Sequence, residues 1–181
     1  MVLEDLAAVL RLPGLFRKLD RVLSRMLQSF GEPADFGFRR ITERPADGVL
    51  EYGHRWRDPD DLLAVFAGLT WGDSGHDPLW EVRIEALPRV DPAGVRERDL
   101  HRIAARRAES RFREWDRFWY EDTVCPEFLF GASAAGTRFL EETDPDGTAA
   151  EYLGGALYAL HASGAARGLL EAVSRLPRRP A

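Results

Sequence analysis

Apolar positions recur along this chain with two periods, near 3.6 and near 2, and the alternation between them predicts the elements. From Asp91 to Tyr120 the helical period places Leu100, Ala104, Ala108, Phe112, Trp115, Phe118 and Trp119 on one side, with Arg98, Arg102, Arg106, Arg113 and Arg117 opposite. This stretch is expected to form a long central helix. Its rings are too large to cover with loops, so a sheet is the expected partner. Arg111 falls inside the apolar face and calls for a carboxylate or carbonyl partner.

Helical spacing also marks the beginning and the end of the chain. Leu3–Leu12 reads as a short helix broken by Pro13 and Gly14, and Leu15–Phe30 as a second one that turns Leu19, Val22, Leu23 and Met26 inward and Arg17, Arg21 and Arg25 outward. Gly31 and Pro33 end it. Near the other end, Thr148 and Glu151 fit a capping box that opens a helix to Leu176, with a break at Ser163–Gly164. Its small residues, Gly154 among them, leave room for another backbone to come close.

Between these helices the period is 2. Phe36–Glu43 and Val49–Arg57 read as a hairpin in which Leu50, Tyr52, His54 and Trp56 face a core, whereas Glu51, Gly53, Arg55 and Arg57 face water. Leu79–Leu87 repeats the pattern, with Trp80, Val82, Ile84 and Ala86 against Glu81, Arg83 and Glu85. Glu127–Ala132 and Thr137–Glu142 form a further expected hairpin. Asp58-Pro59-Asp60-Asp61 carries the signals of a helix start and predicts a helix whose Leu62, Val65, Phe66 and Leu69 turn inward. The fold class that follows is α+β. An antiparallel sheet of about four or five strands is packed by the central and C-terminal helices across one face, with the N-terminal helices at one end.

A length of 181 residues suits a single α+β domain spanning residues 1–181. Net charge is -5, which disfavours general affinity for nucleic acid or an anionic membrane. Lys18 is the only lysine among 25 basic residues, a usage that fits a high-GC bacterial genome. Cys125 is the only cysteine, so no intramolecular disulfide forms, and a buried thiol is its expected state. Glu4 and Asp5 stand where a signal peptide would be basic, and no spanning apolar run exists, which together predict a cytoplasmic protein.

Candidate chemistry concentrates in Trp71–Pro78. This loop gathers Trp71, Asp73, Ser74, His76 and Asp77. Asp73-Ser74-Gly75 resembles the nucleophile segment of chymotrypsin-like proteases, a resemblance that implies a double barrel with an upstream His and Asp. The helix-rich pattern opposes it, and a capped turn accounts for the same residues. Asp144-x-Asp146-Gly147 resembles the opening of a calcium loop, but its twelfth position is Gly155 where a bidentate Glu is needed. Arg96 and His101 resemble the Arg-x4-His signature of the HEPN ribonucleases, which implies an all-helical dimer and conflicts with the predicted strands. His54, His76, His101 and His161 lack zinc spacing, so no metal and no cofactor are expected.

Three functions follow as expectations. The favoured one is a noncatalytic, cytoplasmic protein-binding module, immunity-protein or chaperone-like, with a protein partner or a second copy and no membrane; Trp71, His76 and Trp80 are its candidate contacts. The second is a small hydrolase-type enzyme using His76 with Asp73 or Asp77 as acid and base. The third is a nucleic-acid binder through Arg98, Arg102, Arg106, Arg113 and Arg117, although Asp99, Glu109 and Asp116 among them suit a solvated face better.

Overall fold

The computed structural model describes residues 3–31, 39–41, 50–71, 78–86, 115–120 and 127–175. These form helix α1 (Leu3–Phe30), strands β1 (Arg39–Ile41), β2 (Leu50–Arg57), β3 (Leu63–Trp71), β4 (Leu79–Ala86), β5 (Trp115–Tyr120) and β6 (Glu127–Ala135), and helices α2 (Pro145–Ala162) and α3 (Ala165–Val173). The class is α+β. Its strands make one sheet in the order β1-β2-β3-β4-β6-β5, antiparallel at every junction.

Register explains which residues reach the core. Trp56 lies opposite Val65, Val65 opposite Ile84, Ala67 opposite Val82, Leu69 opposite Trp80, and Val82 opposite Ala132. Because side chains alternate, all of these share one face. Leu19, Val22, Leu23 and Met26 of α1 and Leu153, Ala156, Leu157 and Leu160 of α2 join them in a single buried cluster. Ala132 and Ala134 are small where the facing strand carries Val82 and Trp80, so weak strand formers are kept by fit to large neighbours.

Both long helices lie over this apolar face. Arg25 donates to the two oxygens of Asp144 at 2.9 and 2.7 Å, Arg21 lies 3.6 Å from Asp146, and the Phe30 ring covers Gly154. The end of α1 thus packs on the first half of α2. A Cβ at Gly154 would stand 1.8 Å from the Phe30 ring, which makes glycine a requirement of the contact. The close approach expected at this glycine is real, but a side chain makes it. Tyr52 of β2 ties the sheet to α1, stacking at 5.0 Å from Phe16 and donating to Asp20 at 2.6 Å. Burial and the Asp20 carboxylate push the Tyr52 hydroxyl up to about 12.

Several expectations need correction. One helix runs through Pro13 and Gly14: a proline removes a single i→i−4 bond and has a helical φ, and the long apolar stripe beyond it outweighs that loss. This helix lies beside α2 and reaches the sheet at β2, next to the edge strand β1. The Asp58 segment starts no helix. Its buried carboxylate accepts from the amides of Asp60, Leu62 and Leu63 at 2.9, 2.7 and 2.6 Å, Asp61 takes a left-handed φ of 59°, and the chain leaves as β3. Leu62–Leu69, apolar at every position but Gly68, is buried on both faces, and helical and strand periods look alike in such a run.

The long central helix cannot extend to Tyr120, because Trp115–Tyr120 pairs with Glu127–Ala132 as β5. Four aromatic residues in six favour a strand once a neighbour supplies its ladder. Asp91–Glu114 lies outside the described residues. The last expected hairpin is absent: β6 continues to Ala135, and residues 136–142 are turns closed by bonds such as Arg138 N–H to Ala135 O at 2.9 Å. Helix α2 begins at Pro145, capped by Asp144, which accepts from the Gly147 amide at 3.1 Å. Thr148 instead donates its hydroxyl to the Asp144 carbonyl. The break at Ser163–Gly164 is where expected, with Gly164 at a left-handed φ of 70°.

Candidate functional site

The second face of the sheet, expected to be wet, carries the densest cluster of ionisable groups among the described residues. It is assembled from alternate positions of three adjacent strands: Glu51 and Arg55 from β2, Phe66 and Thr70 from β3, and Glu81, Arg83 and Glu85 from β4. Glu51 lies opposite Thr70, Arg55 opposite Phe66, and Phe66 opposite Arg83. Two glycines shape the floor. Gly53 and Gly68 face each other so closely that a Cβ on either would meet the partner strand's backbone at 2.3–2.8 Å, and the Phe66 ring lies across both. The Arg83 guanidinium sits over this ring at 4.4 Å and Arg55 at 5.7 Å.

Arg83 is the hub. Its Nε donates to Glu85, its Nη1 to Glu81 and its Nη2 to Glu51, so the whole planar fork is used. The Nη1 group also reaches Thr70 Oγ1 at 3.2 Å, and the Thr70 hydroxyl donates to Glu81 Oε2 at 3.0 Å. Arg55 closes the ring from the other side, donating to Glu51 Oε2 at 2.7 Å and approaching Glu85 Oε1 at 3.5 Å.

Water has little access. Thr70, Glu81 and Glu85 are each under a tenth exposed, and the Arg83 side chain is 11% exposed. Burial pushes the Glu81 carboxyl up to about 7; the Thr70 hydroxyl opposes the shift and the Glu85 charge reinforces it. Unpaired charge here would cost several kcal/mol per ion. The arrangement answers that cost by giving every guanidinium more than one carboxylate.

Chemically, this cluster can hold and exchange a proton and can bind charge. No Ser, Cys, His or Lys stands among its interacting members as a nucleophile. Among the described residues no group of three or more His, Cys, Asp or Glu side chains is arranged to hold a metal ion. No described helix is long and apolar enough to cross a membrane.

The residues singled out from the sequence are distributed differently. Trp71 is the last residue of β3, with Leu50 as its Cα partner. Trp80 is a core side chain, 8% exposed on the apolar face, and offers little surface to a partner. Arg117 belongs to β5 opposite Phe130, so it does not continue a helix face from Arg98. Asp73, His76, Asp77, Arg98, Arg102, Arg106, Arg113 and Cys125 lie outside the described residues, as do Arg96, His101 and Arg111. The cluster that the structure does bring together was visible only as opposite charges at every second position, Glu81-x-Arg83-x-Glu85 beside Glu51-x3-Arg55. No protein-family model, curated protein or solved structure matches the chain.

Proposed function

We propose that this chain is a noncatalytic protein-binding module, in the manner of small immunity or chaperone-like proteins, and that it takes an extended segment of its partner along β5. The observation that supports the reading is the sheet order. β5 is an outermost strand, hydrogen-bonded to β6 alone among the described strands, and its six-residue sequence contains Trp115, Phe118, Trp119 and Tyr120. An outer strand offers a row of amides and carbonyls to another chain, and aromatic residues beside it supply the anchoring contacts common in interface hot spots. The charged cluster fits a binding scaffold better than an active site, because its two guanidiniums are shared among its own carboxylates.

The other readings lean on different ground. A hydrolase would use His76 with Asp73 or Asp77, and a nucleic-acid site would need Arg98 to Arg117 on one face, which the strand at Arg117 divides.

Successive amides of β5 point alternately to β6 and to the open edge. One of Arg117→Pro and Phe118→Pro therefore breaks the ladder, and the other blocks only the edge. With the full chain immobilised and host lysate as the source, the edge-blocking variant is expected to keep its melting temperature and lose about tenfold or more of partner capture. Capture undiminished in that variant overturns the reading. So does a wild-type chain that neither captures a protein nor self-associates.

A further inference from the structure

The charged face is short of one positive charge. Among the described residues Glu51, Glu81 and Glu85 meet Arg55 and Arg83, so full ionisation of these five leaves one negative charge more than positive. Geometry says where the shortfall falls. Glu51 and Glu85 each receive both guanidiniums, whereas Glu81 receives only Arg83, already divided among three carboxylates, and the neutral Thr70 hydroxyl. Its second oxygen, Oε1, accepts from no group among the described residues. The groups facing Glu81 are Arg83 and Glu85 on its own strand, Thr70 on β3, Glu51 and Arg55 on β2, and the neutral Ser133 opposite it on β6. None can supply the missing charge.

We propose that this cluster is a proton-linked lock on the centre of the sheet: the folded chain holds one proton on Glu81, and losing it as pH rises leaves an uncompensated buried charge that loosens β2, β3 and β4. The neutral carboxyl keeps Oε2 as acceptor for Arg83 and Thr70 while Oε1 carries the proton. Burial supports the assignment, holding this carboxyl at about 7 against an ordinary 4.5. The sign follows from linkage. A folded-state value above the unfolded one gives stabilisation that is complete below 4.5 and is lost as pH rises through about 7.

The test is a carboxyl-carbon NMR titration of glutamate-labelled full chain, with Glu81→Gln, a close mimic of the protonated group, identifying the resonance. A midpoint near 7 is expected. In parallel, the folding equilibrium constant of wild type relative to Glu81→Gln is expected to fall by up to about tenfold per pH unit from about pH 5 to 7, one linked proton, and to level off above about pH 8. Amide exchange in β3 and β4 should accelerate over the same range beyond its intrinsic pH dependence, in wild type only. A Glu81 midpoint near 4.5, or a ratio independent of pH, overturns the proposal. Should Glu81→Gln fail to fold, titrating amide shifts at Thr70 and Glu81 in wild type decide it: a midpoint near 7 supports the lock and one near 4.5 sinks it.

Discussion

On one face of the sheet, Trp56, Val65, Val82 and Ile84 are buried against α1 and α2; on the other, Glu51, Glu81, Arg83 and Glu85 are nearly as well withdrawn from water. The first face is held by apolar area, at about 1.5–3 kcal/mol for each large side chain fully buried. The second gains little net energy from its ion pairs, since desolvation cancels most of their attraction. What the contrast teaches is a difference in tolerance. The apolar face should degrade residue by residue, while the charged face is neutral when complete and costly when any one partner is taken away.

The largest expected effect breaks the charged face at its hub. Arg83→Met takes a guanidinium from three carboxylates and leaves Glu81 with none, and should cost about 3–5 kcal/mol in urea unfolding, unless protonation at low pH relieves it. Leu153→Ala, which removes a fully buried side chain of α2 from the apolar face, should cost about 2–4 kcal/mol with no dependence on pH. Equal pH dependence in the two variants would erase the distinction drawn between the faces. Asp58→Ala sits between them in kind, since it leaves three backbone amides without their carboxylate at the entry to β3, and should cost about 1.5–3 kcal/mol in the same urea unfolding. The smallest effect belongs to the exposed Arg25–Asp144 pair, where Arg25→Ala should leave the melting temperature almost unchanged at high salt. The Gly147 amide and Arg25 hold the Asp144 carboxyl below its usual range, so what it contributes is present near neutrality and fades as pH falls.

Much of the fold was legible because two periods were. Strands β2 and β4, the inward face of α1 and the break at Gly164 all follow from spacing or from one residue's backbone preference. Two segments misled for physical reasons. Leu62–Leu69 is apolar at every position bar Gly68, so no period could choose between helix and strand, and the Asp58 cap that signals a helix start serves a tight turn equally well. Trp115–Tyr120 continues the helical stripe written before it, yet its aromatic residues find their ladder in β6, a pairing set by residues that follow it in the chain. The charged cluster was hidden differently. Alternating Glu and Arg on a strand reads as a solvated face, and only the meeting of β2, β3 and β4 turns the same residues into a closed ring around Arg83.

That ring is tested most directly by a double-mutant cycle. Urea unfolding of wild type, Arg83→Met, Glu85→Gln and the double variant at pH 7 yields the coupling between the two side chains. A closed, desolvated network predicts that the double variant is more stable than the summed single losses imply, by about 1–3 kcal/mol. Additive losses would mean that Arg83 and Glu85 do not share a buried network, and that the second face of the sheet is the ordinary solvated surface its sequence suggests.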